Sequence, residues 1–305
     1  MHKTNERDEL VAKLMVELGL SQTIVNLLVD RGFTDSVSID KFLHPSLSDL
    51  HSPFDIINMK PAVALIRSHI ERGSNILIFG DYDCDGVGAS AILFLAFEAL
   101  GGKVRSFIPT RHDDGYGLSK GAIDKVVESF KPNLIITVDC GISSVKEVAY
   151  VKSLGIDILV TDHHEPQEEL PDCLLVDPKL QDDGYPQLCG AGVALKVVEA
   201  LTDLDNAMQY SDICAISTIA DLVPLDSDNR IIAYYGLQRL NKTNRLAPRQ
   251  GLNILKELCK IKPNQATAYD IGFKIAPRIN ASGRLSSAQK SFDLLTSTDA
   301  FLVKR

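Results

Sequence analysis

Five short apolar runs, rich in Ile, Leu and Val, set the rhythm of the first 180 residues. They are "NILIFG" (75–80), "KVRSFIP" (103–109), "NLIITVD" (133–139), "IDILVTD" (156–162) and "CLLVDP" (173–178). Amphipathic stretches at about 87–100, 119–130 and 143–153 separate the first four. Buried strands alternating with helices at this spacing predict an α/β fold with a parallel sheet. Residues 61–72 read as a further helix, with Pro61 in its first turn and Gly73 past its end. After Pro178 the pattern turns helical, over 190–202, about 207–220, 229–240, 248–258 and 265–275.

Ligands of open α/β sheets bind beyond the carboxyl ends of the strands. Four of the five runs close on an aspartate, namely Asp81, Asp139, Asp162 and Asp177. The fold therefore predicts several carboxylates along one sheet edge.

Composition narrows the setting. Apolar residues make up 45% of 305 positions and charged residues 24%, as in ordinary globular proteins. No apolar run approaches a membrane span, and the opening "MHKTNERDEL" has no secretory core, so the expectation is a cytoplasmic protein that binds no membrane. Six scattered cysteines without a C-x-x-C pair read as reduced packing residues. The net charge of −8 is unevenly spread: residues 231–290 hold eleven Lys/Arg against Glu257 and Asp270, a balance of +9. An acidic front joined to a basic rear suits a metal site beside a phosphate-binding surface, though solvated helix faces would produce the same count.

The stretch "GDYDCDGVG" places Asp81, Asp83 and Asp85 within five residues. An EF-hand would need a glutamate at its twelfth position, where Ile92 stands, and a helix rather than a strand before it. A phosphate-cradling loop would not carry three carboxylates and lacks the Gly-Lys-Ser/Thr ending. Divalent metal binding remains, against the plainer alternative of a solvated turn, with Gly86 and Gly88 expected to turn the chain sharply into the next helix. "TVDCGIS" (137–143) repeats the design around Asp139, "VTDHHEP" (160–166) ends a strand with Asp162, His163 and His164, and Asp221 follows an apolar helix. Carboxylates with imidazole and no thiolate pair suit Mn²⁺ or Mg²⁺ better than a structural zinc site. Asp162 is a candidate for orienting a histidine.

This order of motifs resembles the DHH phosphoesterase superfamily. The flanking text "HPSLSDLHSPF", "IPTRHDDGYGLS", "LCGAGVALKV", "IADLVPL" and "FKIAPRINASGRL" is similar to that of its RecJ family of single-strand-specific exonucleases. The resemblance runs from about residue 40 to the end. It implies a DHH catalytic core over 61–230, after an N-terminal extension over 1–60. Residues 231–305 would be a basic helical linker and the start of an incomplete C-terminal domain. It implies two divalent cations, Mn²⁺ preferred and Mg²⁺ possible. Asp81, Asp83 and Asp139 would hold one; Asp85, Asp139, His163 and Asp221 would hold the other. His164 would contact phosphate and Asp162 would orient it. The implied activity is 5′-to-3′ hydrolysis of single-stranded DNA to mononucleotides in repair or recombination, with a helicase or single-strand-binding protein as a conceivable partner.

Two segments are candidates for gripping the strand. "APRINASGR" (276–284) offers Arg278, Asn280, Ser282 and Arg284, read as a loop whose small residues let backbone approach phosphates. "TRHDDGYGLS" (110–119) offers Arg111, His112 and Tyr116 for a terminal phosphate or a base. "CGAGVALKV" (189–197) reads as helix packing around glycine. The alternatives are a DHH enzyme of smaller phosphates, such as an oligoribonuclease, a cyclic-dinucleotide phosphodiesterase or a pyrophosphatase, and a catalytically silent nucleic-acid-binding module.

Overall fold

A computed structural model describes residues 2–110, 117–242, 250–285 and 287–297. The chain divides into two compact units, 1–50 and 51–305. The first holds α1 (His2–Leu18), α2 (Gln22–Asp30) and α3 (Ser36–Leu43), closed over Val11, Leu14, Val25, Leu28 and Ile39.

The second unit follows the predicted alternation. After α4 (Met59–Glu71) come β1 (Asn75–Gly80), α5 (Cys84–Ala99), β2 (Lys103–Phe107), α6 (Lys120–Phe130), β3 (Leu134–Val138), α7 (Val145–Ser153), β4 (Asp157–Thr161) and β5 (Leu174–Val176). All neighbouring strands are parallel, in the order β2-β1-β3-β4-β5. Strands β1, β3 and β4 are buried almost throughout, which is why they read as continuous apolar runs. Leu77, Phe79, Ile135 and Val160 share one core cluster with Ile123 of α6 and Val148 of α7.

Register carries the consequence for the site. Gly80 pairs with Val138, Val138 with Thr161, and Thr161 with Val176. The residue that follows each of these is an aspartate, so Asp81, Asp139, Asp162 and Asp177 continue one row across the sheet edge. Strand order reverses between β1 and β3, and a crevice opens at such a point.

The remaining helices are α8 (Gly190–Leu201), α9 (Leu204–Ala207), α10 (Ser211–Ala220), α11 (Ser227–Lys242), α12 (Gln250–Leu258), α13 (Ala268–Asp270), α14 (Ala276–Leu285) and α15 (Gln289–Thr296). A π-helical turn, Ile271–Ile275, joins α13 to α14. Among the described residues no helix is long and apolar enough to cross a membrane.

Two expectations change here. Residues 276–284 are helical, not a loop. Gly86 and Gly88 lie inside α5, which already begins at Cys84, and neither has a positive φ. A Cβ at Gly86 would stand 2.5 Å from the Asp81 carbonyl oxygen, and one at Gly88 would collide with Ser217 Oγ. These glycines permit close approach rather than a turn.

Candidate metal centre

The centre is assembled from four places in the chain. After β1, Asp81 is buried, and Asp83 caps α5 by accepting the Asp85 and Gly86 amides at 2.9 and 3.0 Å. Asp85, in the first turn of α5, is also buried. Its carboxylate accepts the amides of Gly190 at 2.5 Å and Ala191 at 2.9 Å, the first residues of α8. A helix N-terminus favours a negative charge at that position.

Asp139 follows β3 with φ of 58°, a left-handed conformation that aspartate tolerates better than most residues. Its amide still donates to Thr161 O at 3.1 Å, so the sheet ladder runs one step past the strand. Gly190 lies directly against it, and a Cβ there would fall 2.6 Å from Asp139 Cβ.

After β4, Asp162 Oδ1 accepts the His163 amide at 2.8 Å and lies 2.7 Å from His164 Nδ1. Asp162 Oδ2 accepts the Ile142 amide at 2.9 Å. Asp221 stands at the C-terminus of α10. His163 Nε2 is 3.0 Å from Asp139 Oδ1, 3.7 Å from Asp85 Oδ2 and 3.9 Å from Asp221 Oδ2.

Three trios result, each with ligand atoms within 4.8 Å of one another: Asp81–Asp83–Asp139, Asp85–His163–Asp221 and Asp139–His163–His164. The electrostatics are unfavourable without a cation. Burial pushes the Asp81 carboxyl up to about 6, and the neighbouring Asp83 charge adds to it. Burial, then the charge of Asp221, pushes Asp85 to about 7. Burial, then the charge of Asp83, pushes Asp221 to about 6. Asp139 is raised well above the carboxylate range by burial and then by Asp85. Burial, with the neighbouring His164 charge, drops His163 to about 4 and leaves it a neutral nitrogen donor.

His164 goes the other way: its hydrogen bond with Asp162 raises its pKa, against the effect of burial. Burial pushes Asp162 up, but the bonds from His164 and the Ile142 amide outweigh it and hold this acid below its ordinary value.

The donor set fits hard divalent cations. Among the described residues Asp81 Oδ1 and Asp139 Oδ1 are buried without a hydrogen-bond partner, an expensive arrangement that a cation held by these carboxylates would relieve. Five carboxylates and one or two imidazoles match the ligand types of Mn²⁺ and Mg²⁺. The thiols of Cys84 and Cys140 are held well above their ordinary range, first by burial and then by nearby carboxylates, so they offer no thiolate.

All eight of the predicted residues Asp81, Asp83, Asp85, Asp139, Asp162, His163, His164 and Asp221 meet here. Asp177, the fourth strand-ending aspartate, is outside the trios and caps the turn after β5 through the Lys179 amide.

The strand-gripping candidates are more dispersed. Asn280 Oδ1 accepts the Cys84 amide at 2.7 Å, which places α14 against the β1 loop. A Cβ at Gly283 would stand 2.6 Å from the Tyr82 carbonyl oxygen. Arg278 and Arg284 are exposed, and Arg278 Nη1 donates to Lys274 O. Ser282 Oγ donates to Ile279 O within α14 and pairs with Ser291 Oγ of α15. Arg111, His112 and Tyr116 lie outside the described residues. A cavity of ≈ 470 Å³ opens beside the centre, lined among others by Gly117, Leu118, Cys140, Ser143 and His164.

The sequence reading missed the Gly190 and Ala191 amides as the anchor of Asp85, having taken "CGAG" as packing alone. The available signal was glycine at the start of an apolar helix, the place where an anion can be held.

Comparison with known proteins agrees with this geometry. A single-stranded-DNA-specific exonuclease RecJ of Bacillus subtilis strain 168 is 41% identical over 297 residues, covering 95% of this chain and 37% of its own length. RecJ of Thermus thermophilus in complex with Mn²⁺ is 32% identical with a TM-score of 0.82, covering 97% of this chain and 42% of that one. The same protein in complex with Mg²⁺ matches with 29% identity and a TM-score of 0.72, covering 97% and 39%. The chain thus spans well under half the length of these relatives. Residues 75–224, from the start of β1 to just past Asp221, match the N-terminal domain of the DHH family, and the chain belongs to that family.

Proposed function

We infer that the centre is a two-metal phosphodiesterase site that removes mononucleotides from the 5′ end of single-stranded DNA, in repair or recombination. The observation that carries this reading is the meeting of the two acidic trios at Asp139 and His163. Mn²⁺ and Mg²⁺ are the fitting cations, as in the Thermus relative. When bound, such a pair lowers the pKa of a water and neutralises the phosphoryl oxygens of an in-line displacement.

The chain's own residues supply the rest. Asp81, Asp83 and Asp139 would form one cation site, and Asp85, Asp139, His163 and Asp221 the other. The Gly190 and Ala191 amides hold the Asp85 carboxylate in place. With Nδ1–H donated to Asp162 and its pKa raised by that bond, protonated His164 would donate Nε2–H to a phosphoryl oxygen, and the half-exposed ring can reach substrate. Arg278 and Arg284, in the cationic segment behind the centre, would take up the strand's phosphates. Residues 61–230 would act as the catalytic core and 231–305 as a basic linker. A helicase or single-strand-binding protein would deliver the strand, in the cytoplasm.

End-labelled single strands of both polarities, with Mn²⁺, Mg²⁺ or chelator, test the reading, with dinucleotides in the same panel. Metal-dependent release of mononucleotides from the 5′ end, lost in Asp139→Asn, is expected. Turnover of dinucleotides alone would point to a small-phosphate enzyme, and chelator-insensitive binding without cleavage to a silent module.

A further inference from the structure

The helical run Ala268–Leu285 carries a feature that the metal centre does not use. Tyr269 and Phe273 stand four residues apart on it, 63% and 70% exposed, with ring centroids 4.7 Å apart and planes inclined by only 27°. Two stacked rings so open to water lose the hydrophobic benefit that normally hides aromatic side chains.

The backbone explains how they are presented. Pro277 has no N–H for the carbonyl of Phe273, and its ring would crowd that carbonyl in a regular helix. The helix widens into the π-turn Ile271–Ile275 just ahead of it. Lys274 O accepts Arg278 Nη1 at 2.8 Å. Ile271, Ile275 and Ile279 point into the core, while Tyr269, Phe273, Pro277 and Arg278 are exposed.

The pair is also placed close to the chemistry. A Cβ at Gly272 would stand 3.9 Å from Ile219 Cγ2, on α10 two residues before Asp221. Seven residues beyond Phe273, Asn280 reaches the Cys84 amide of the β1 loop. That is about 10 Å along a helix axis, the length of about three stacked nucleotides. Over 250–285 the chain carries six cations (Lys256, Lys260, Lys262, Lys274, Arg278, Arg284) against Glu257 and Asp270. This balance favours a polyanion over an apolar protein segment as the occupant.

We propose that Tyr269 and Phe273 form a base-stacking platform for a single strand of nucleic acid running along this helix to the metal centre, with Arg278 holding the adjoining phosphate. The proposal rests on the phosphodiesterase reading and adds a subsite to it. Every base has a π-face, so such a platform is tolerant of sequence and tracks strands of any composition.

The chain has no tryptophan, so a Phe273→Trp variant carries a single indole at the platform. Titration with a 5′-phosphorylated, phosphorothioate-linked oligo-dT in Mg²⁺ should quench that emission saturably. Tyr269→Ala with Phe273→Ala should weaken strand binding roughly 10- to 100-fold, the range expected for lost base–aromatic stacking. Phe273→Tyr should keep the affinity and Phe273→Leu should lose it, which separates stacking from mere greasiness.

Strand binding without quenching, or full affinity in Phe273→Leu, overturns the platform and leaves the phosphodiesterase reading standing. A blue shift of the indole with protein concentration, in the absence of strand, also overturns it, because self-association then covers the pair. No strand binding and no cleavage by the unsubstituted protein overturns both.

Discussion

Buried Asp162 and half-exposed His164 form an acid–imidazole pair, 2.7 Å between Oδ1 and Nδ1, anchored through the other carboxylate oxygen to the Ile142 amide. The pair fixes one tautomer of His164 and favours its protonated form. If His164 meets phosphate as proposed, its cationic form is lost when pH rises through its pKa. Asp162→Asn removes the group that raises that pKa, so the alkaline limb of the kcat/KM profile should move to lower pH. His164→Ala should lower kcat by roughly 10²–10³, as when one donor to a developing oxyanion is lost. A pH profile unchanged in Asp162→Asn would show that the proton on His164 plays no part in the rate.

Stability of the metal-stripped protein should fall as pH rises. Asp81, Asp85 and Asp221 sit at about 6, 7 and 6 in the fold, above the carboxylate value of an unfolded chain. The folded state therefore binds more protons between about pH 4 and 7, and the stability this confers disappears as pH climbs through that window. Divalent cations replace those protons. Thermal unfolding in chelator should give a higher Tm at pH 5 than at pH 8, while added Mn²⁺ should raise Tm far more at pH 8. A chelator Tm that rises with pH over this range would refute the account.

Gly190→Ala tests the contact between α8 and the β3 loop. The new methyl would stand 2.6 Å from Asp139 Cβ, and the same helix turn holds Asp85. Mn²⁺ affinity should drop by at least about tenfold, because two candidate ligands shift together. Gly121→Ala, on α6 with open space around it, is the matched control and should be neutral or stabilising by up to about 1 kcal/mol. Equal metal affinity in both variants, measured by calorimetry, would remove Gly190 from the site.

Lys196 is buried, with Nζ 3.1 Å from the buried Asp228, 3.0 Å from Glu199 and 2.6 Å from His51 O. Lys196→Met leaves an acid without its ammonium partner and should cost roughly 3–5 kcal/mol in urea unfolding. A loss under about 1 kcal/mol would mean that His51, 2.7 Å from Asp228, carries the compensation alone.

Much of this site was legible because parallel strands buried on both faces are short and end together. Aspartates that close the runs at 80, 138, 161 and 176 fall into one row once the register is set. The helix over 276–285 was not legible. Pro277, Asn280, Ser282 and Gly283 are poor helix formers, and sequence propensity reads them as a loop. Tertiary contact decides otherwise: Gly283 lets the helix lie on Tyr82, and Asn280 serves as an acceptor for Cys84. Gly86 and Gly88 misled in the same way, since a glycine chosen for proximity and one chosen for turning look alike in a sequence.

The candidate ligands gathered around Asp139 begin at Asp81 and finish at Asp221, so the centre draws on sheet edge and distal helix alike. No local stretch of chain holds it, and a partly folded molecule with α10 undocked would lack one wall. Ion uptake by these residues would then be a late checkpoint of assembly, and the magnetic resonance of captured manganese would time the last step of refolding.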